Sequence, residues 1–238
     1  MKVTWDAAQG RPEIAPVDPA APAIKVELNL PDEWNGKALM YGGGGYNGSI
    51  LSTGGTIRLQ PANLAIPLGR GYATFGSDSG HSGASSDGSF ALNEEALRNY
   101  AYEALKKTRD VAIRLIASKY GRAPDKLYFH GSSNGGKEAF AMIQKYPADI
   151  DGAMIFWPAT TFGTAALQFG RVARAFAAPG AWLNVPKRKL LLDAAMAACD
   201  ALDGAADKLI SNSRQCQQVF DPAIALHEGR PLRCPTGA

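Results

Sequence analysis

The chain of 238 residues predicts an α/β protein, a largely parallel sheet with helices on both faces. Two observations carry this. Short apolar runs bounded by Gly, Pro and Asp recur along the first two thirds of the chain, and between them lie longer stretches with apolar residues at helical spacing. At 46% hydrophobic the chain can bury a sizeable core, as one domain or as one with an appendage.

The stretch up to Ala23 is rich in Pro and Ala and reads as irregular. Ile24 to Leu30 alternates apolar and polar, as a half-buried strand does. Pro31 to Gly36 turns the chain into a second strand, Lys37 to Tyr41, followed by Gly42-Gly43-Gly44-Gly45. A third strand over Gly71 to Phe75 leads into the polar loop from Ser77 to Ser89. A long helix is predicted from Glu94 to Lys119, with Asn93 as its cap and Gly121 as its stop. Next come the strand-like Lys126 to His130, the turn Gly131-Ser132-Ser133-Asn134-Gly135-Gly136, a helix ending at Tyr146-Pro147, and a buried strand over Gly152 to Trp157. From about Thr160 the pattern dissolves into Ala-rich helical pieces, an inserted or appended segment. The expected domains are therefore 1–159 and 160–238.

A net charge of +3 with 20% charged residues supplies no basic stripe, which argues against nucleic acid as a partner. No apolar run reaches membrane-spanning length, and the first residues lack the apolar stretch of a signal peptide. The cysteines Cys199, Cys216 and Cys234 lie close together near the end. Such a set suggests one disulfide and an unpaired thiol, or a partner elsewhere.

Ser133 stands in a G-x-S-x-G turn between a strand and a helix, the setting of a nucleophile elbow. Small neighbours let the chain turn sharply and lift the hydroxyl above the sheet edge. The N–H groups of the new helix then face an oxyanion. Asn134 is the expected donor on that side, and Gly44 or Gly45 of the tetraglycine turn the expected second donor. No Gly-Lys-Ser/Thr follows those glycines, so a nucleotide cradle is disfavoured. A serine of this kind needs a base and an orienting acid. Of the histidines, His81 and His130 precede Ser133 and read as structural, and His227 reads as a surface residue. No complete triad is evident.

The second candidate site is Cys199-Asp200-Ala201-Leu202-Asp203-Gly204-Ala205-Ala206-Asp207-Lys208-Leu209. Three carboxylates this close repel unless a cation gathers them or solvent screens them. A tight loop around Gly204 offers calcium the Asp200, Asp203 and Asp207 side chains with the Ala205 and Leu209 carbonyls.

Taken in order, several stretches resemble the tannase and feruloyl esterase family of α/β-hydrolases, which includes enzymes acting on terephthalate monoesters. They are Leu30 to Lys37, the glycine turn, Gly71 to Thr74 with Ser77 to His81, Tyr128 to Gly136, Tyr146 to Gly152, and the Cys-Asp-Ala-Leu-Asp-Gly loop with Cys216 before Phe220-Asp221-Pro222. The resemblance runs from about Ile24 to the end. It implies an ester hydrolase with Ser133 as nucleophile, aromatic (galloyl, hydroxycinnamoyl or terephthaloyl) esters as substrates, and a lid after the strand ending near Trp157. It also implies a structural calcium in that lid, a Cys199–Cys216 disulfide, and an exported protein, periplasmic or extracellular. In two respects the chain departs from the family. Ser132 replaces the Cys that the family bonds to a Cys after the catalytic His, and the catalytic Asp and His are expected beyond the lid, outside this chain. The expectation is thus of an N-terminal portion, inactive or nearly so alone. The alternatives are a non-catalytic module that binds aromatic ligands and another serine hydrolase, such as a polyester depolymerase.

Overall fold

The computed structural model describes residues 1–6 and 10–232. The chain divides into two compact units, 1–162 and 163–238, against an expected boundary after residue 159.

The first unit holds a seven-stranded sheet. Its strands are β1 (Val3–Asp6), β2 (Arg11–Ile14), β3 (Ile24–Asn29), β4 (Lys37–Tyr41), β5 (Ala73–Ser77), β6 (Lys126–Ser132) and β7 (Gly152–Phe156). They lie in the order β1-β2-β3-β5-β4-β6-β7. The pairs β4/β5, β4/β6 and β6/β7 are parallel, and the pairs on the β1 side are antiparallel. Every residue of β5 is buried, as is Ala38 to Tyr41 of β4. Such unbroken burial marks strands at the centre of a covered sheet.

Three helices follow in the same unit: α1 (Glu94–Arg98), α2 (Ala104–Tyr120) and α3 (Asn134–Lys145). Met40, Phe75, Leu127 and Phe129 point to one face of the sheet and pack against Leu105, Ala112 and Ile116 of α2 and Ala139 and Met142 of α3. The helices α2 and α3 therefore share this face. The opposite face is roofed by the chain after the glycine turn. There Glu27 Oε1 accepts from the Thr53 amide at 2.8 Å, Tyr41 Oη donates to the Gly55 carbonyl at 3.2 Å, and His130 Nε2 accepts from the Arg58 amide at 3.1 Å.

Two differences from the sequence reading have local causes. Part of the stretch before Ala23 is strand rather than irregular. In β2, Pro12 and Ile14 are buried while Arg11 and Glu13 are only partly so, an alternation masked by the proline. Pro12 is tolerated because β2 pairs with β3 only through Glu13 and Ile14. The long helix is interrupted: between α1 and α2, residues Asn99–Glu103 form a π turn. Such a turn carries an extra residue and commonly re-aims a side chain near a site; here it places Tyr100 over the start of α3. The cap is as expected, with Asn93 Oδ1 accepting from the Ala96 amide at 3.0 Å, and Gly121 ends α2 at φ 74°.

The second unit contains most of α4 (Phe162–Phe176), then α5 (Val185–Cys199), α6 (Ser213–Val219) and a two-stranded ribbon of β8 (Leu226–His227) and β9 (Arg230–Pro231). Cys199 at the end of α5 is disulfide-bonded to Cys216 in α6, the expected pair. Cys234 lies outside the described residues. Among the described residues no helix is long and apolar enough to cross a membrane.

Candidate active site

Ser133 joins β6 to α3 at φ 59° and ψ −120°, a conformation that costs a non-glycine residue on the order of 1–3 kcal/mol. The surrounding structure fixes it there. Its amide donates to the Phe156 carbonyl at 3.0 Å and its carbonyl accepts from the Ala159 amide at 2.9 Å, so both sides of the turn are tied to the end of β7. The neighbouring glycines are needed sterically. A Cβ on Gly131 would lie 2.0 Å from the Gly135 carbonyl oxygen, one on Gly135 would lie 2.8 Å from the Gly42 backbone, and one on Gly136 would lie 2.8 Å from Pro158 Cα. Three segments thus meet backbone to backbone.

Ser133 is exposed and lines a cavity of about 670 Å³ with Gly42, Gly43, Gly44, Tyr41, His130 and Trp157. The glycine amides have different fates. That of Gly42 donates to the His130 carbonyl at 2.9 Å, and that of Gly43 to Glu138 Oε2 at 2.8 Å. The Gly44 and Asn134 amides meet no acceptor among the described residues, and Gly44 lines the cavity. Gly45 does not line it. At φ 58° Gly45 shapes the turn, and a Cβ on it would sit 2.4 Å from the Ser85 carbonyl oxygen. Asn134 opens the 12-residue α3, whose first amides have no helical acceptor and carry the positive end of its dipole.

Beneath the turn lies a buried polar network that the sequence reading missed. Tyr100 Oη donates to Asn134 Oδ1 at 2.9 Å, Asn134 Nδ2 donates to Glu138 Oε1 at 3.0 Å, and the other Glu138 oxygen holds Gly43. Burial raises the Glu138 carboxyl above the usual carboxylate range, opposed by these hydrogen bonds and the Lys137 charge. The Lys137 ammonium lies 3.9 Å from the centroid of the Tyr100 ring, and burial lowers its pKa. A sequence signal for Glu138 exists: it is a charge on the stripe of α3 that also carries Ala139 and Met142 toward the sheet.

The histidines divide clearly. His130 lines the cavity, but its Nε2 is occupied by the Arg58 amide, and burial followed by the Arg58 charge holds its pKa down. His81 is buried against Phe90, ring centroids 3.7 Å apart, and does not line the cavity. His227 belongs to the second unit, in β8. Among the described residues no side chain is hydrogen-bonded to the Ser133 hydroxyl.

In the second unit the acidic loop closes on its own amides. Asp200 Oδ1 and Asp207 Oδ1 both accept from the Leu209 amide, at 3.1 and 3.0 Å, while Asp203 accepts from Ala205 and Ser211. Those backbone donors hold the Asp203 carboxyl below the usual range. Among the described residues no three acidic, His or Cys side chains form a metal-holding group. The donors suit calcium in kind, and Asp200 and Asp207 converge on one point. The Leu209 carbonyl accepts from the Ser211 amide.

Comparison with known proteins gives this geometry its context. The family model "Tannase and feruloyl esterase" matches residues 7–238. The chain is 41% identical over 208 residues to an uncharacterized esterase of Agrobacterium fabrum, covering 86% of this chain and 38% of that protein. It is 34% identical over 232 residues to the mono(2-hydroxyethyl) terephthalate hydrolase of Piscinibacter sakaiensis, covering 89% and 38%. Among solved structures it superposes on feruloyl esterase B from Aspergillus oryzae with a TM-score of 0.72 at 26% identity, covering 91% of this chain and 41% of that one. The chain thus spans about two fifths of the length of these relatives. It is a member of the tannase and feruloyl esterase family, with that family's α/β-hydrolase fold.

Proposed function

We propose that the chain carries the nucleophilic centre of a serine carboxylic-ester hydrolase for aromatic esters. One observation carries the reading: Ser133 is held at a costly backbone conformation, exposed in a cavity, beside two amides with no acceptor of their own. Ser133 Oγ attacks the ester carbonyl carbon, and the displaced electron pair rests on the carbonyl oxygen, facing the Gly44 and Asn134 N–H groups. The hydroxyl proton passes to the leaving oxygen, so that collapse expels the alcohol and leaves an acyl-enzyme; water then attacks the acyl carbon, its proton returning to Ser133 Oγ as the acid is released. The aromatic walls Tyr41 and Trp157 suit a ring, in keeping with relatives named for feruloyl and terephthalate esters.

No base is hydrogen-bonded to the Ser133 hydroxyl among the described residues, so these 238 residues alone are expected to turn over slowly. The deficit is on the order of 10⁴ to 10⁶, leaving oxyanion and binding effects. The test is a fluorophosphonate probe at alkaline pH, where hydroxide substitutes for the base, followed by peptide mapping. Phosphonylation of Ser133, lost in Ser133→Ala, supports the reading. A folded chain that binds aromatic ligands but stays unlabelled would be a binding module instead.

We also propose that the second unit holds calcium through Asp200, Asp203 and Asp207 with the Ala205 and Leu209 carbonyls. The ion would relieve the repulsion at the shared Leu209 amide and supply rigidity, not chemistry. Saturable calcium uptake by calorimetry, lost in Asp200→Asn, checks it. Export is proposed on the same footing, since the Cys199–Cys216 bond suits an oxidising compartment.

A further inference from the structure

Gly44 is the residue of the glycine turn that its surroundings touch least. A Cβ on it would meet nothing within 4 Å. Its carbonyl accepts from the Asn47 amide at 2.8 Å, and its N–H has no acceptor among the described residues. Its two neighbours, however, are reached by one continuous chain of polar contacts. The Gly43 amide donates to Glu138 Oε2 at 2.8 Å, and Glu138 Oε1 accepts from Asn134 Nδ2 at 3.0 Å. Asn134 Oδ1 accepts from Tyr100 Oη at 2.9 Å, and the same Oη lies 3.5 Å from the Gly45 carbonyl oxygen. The circuit leaves the turn on one side of Gly44, passes through Asn134, and returns on the other side. Tyr100, Asn134 and Glu138 are all buried inside the first unit.

The Tyr100 hydroxyl closes this circuit, and packing does not account for it. The ring is already held by Phe90, Tyr46 and His81, with centroids 5.1, 5.9 and 6.1 Å away, and by the Lys137 ammonium at 3.9 Å. A phenylalanine would keep all four contacts. A buried hydroxyl costs free energy unless it is hydrogen-bonded, so its place here is justified by its acceptors. Those acceptors belong to the two segments whose N–H groups must meet one oxygen. An error of about 1 Å in such a placement can cost about 10²-fold in rate.

We infer that Tyr100 is a positioning residue: through the Asn134 side chain it ties the start of α3 to the glycine turn and so sets the spacing of the Gly44 and Asn134 N–H groups. The inference rests on the chemistry proposed for Ser133 and names what holds its two donors in register. Tyr100 does not line the cavity, so it acts through its neighbours and not on substrate.

The test is the rate at which a fluorophosphonate labels Ser133 at alkaline pH. In that reaction Ser133 Oγ bonds to phosphorus, fluoride leaves and hydroxide takes the proton. Burial, with the Glu138 charge second, raises the Tyr100 phenol above its usual range, so it remains a donor there. Tyr100→Phe is expected to lower the maximal labelling rate about tenfold at an unchanged half-saturating probe concentration, since the donors act on charge that develops in the transition state. Asn134→Ala keeps its backbone N–H and should slow labelling as much; adding Tyr100→Phe to it should change nothing further. Additive losses, a full rate in folded Tyr100→Phe, or a loss carried by the half-saturating concentration overturns the inference. Circular dichroism verifies folding; if Tyr100→Phe does not fold, a full rate in Asn134→Ala overturns it. A parent chain in which Ser133 is never labelled sinks the reading of Ser133, which is a separate outcome. The ¹⁵N–¹H resonances of the Gly44 and Asn134 amides then decide about Tyr100: both should move in Tyr100→Phe, and unmoved resonances overturn the inference.

Discussion

Asp78 ends β5's run into the polar loop and makes the stability of the first unit pH-dependent. Its side chain is 1% exposed. Oδ1 accepts from the Lys25 amide at 3.1 Å and the Gly80 amide at 2.9 Å, whereas Oδ2 has no partner. Desolvation outweighs the two hydrogen bonds and the Lys25 charge, and raises the carboxyl from 3.8 to about 7. A group whose folded pKa is raised contributes its full stability below the unfolded value and loses it as pH climbs through the folded one. Stability should therefore decline between about pH 4 and pH 7 and level off above. About three pH units at about 1.4 kcal/mol each set an upper bound near 4 kcal/mol. Asp78→Asn removes the titration, keeps the Oδ1 acceptor, and puts an amide where Oδ2 stood, at a pH-independent cost of about 1–3 kcal/mol. The variant is expected to be less stable than the parent at pH 4 and to match or exceed it at pH 8. Urea unfolding at several pH values, followed by fluorescence, gives the two curves. If they run parallel across this range, Asp78 is not held protonated by burial and the reasoning fails.

Other consequences are as direct. Gly131→Ala forces a methyl group to within 2.0 Å of the Gly135 carbonyl oxygen, so the elbow must shift; a loss of at least about 3 kcal/mol is expected, read as a large drop in Tm. Glu138→Ala strands the Gly43 amide and Asn134 Nδ2 in a buried site and should cost about 2–4 kcal/mol by urea unfolding. Glu138→Gln should not fully rescue it, because both partners are donors and an amide offers them one acceptor. Reducing Cys199–Cys216, which closes a loop of sequence separation 17, should cost the second unit about 3 kcal/mol, seen as a lower Tm with dithiothreitol.

The parallel strands and the elbow were legible because local signals and tertiary environment agree there. A buried strand, small residues and a helix start follow one another from Lys126 to Lys145, with no competing reading. The disulfide partners were legible only through family resemblance; spacing alone left the pairing open. What stayed hidden depends on segments distant in sequence. The π turn at Asn99–Glu103 has no signature of its own in an evenly helical stretch, and matters because it brings Tyr100 to Asn134. Arg58 and Trp157 meet across a separation that no motif spans. The chain from Leu51 to Arg70 carries no periodicity, yet it lies over part of the second face through contacts with Glu27, Tyr41 and His130.

The separation of Gly44 from its neighbours shows how such a site is specified. Four consecutive glycines are equivalent in sequence, and nothing local selects among them. The surroundings do so by subtraction. The close approach of Gly135 to Gly42 brings the start of α3 against the turn, and this sets Glu138, one helical turn on, under Gly43. His130 at the end of β6 takes the Gly42 amide, Glu138 takes the next, and Ser85 crowds Gly45. One amide, that of Gly44, is left without an acceptor among the described residues, in a residue that lines the cavity with Ser133. On the proposed mechanism Glu138 would serve without touching substrate: by holding the Gly43 amide it helps set where the next N–H stands. The same contact explains why a costly buried carboxylate occupies a helix face that is otherwise packed against the sheet. An apolar residue there would pack as well but would release the turn.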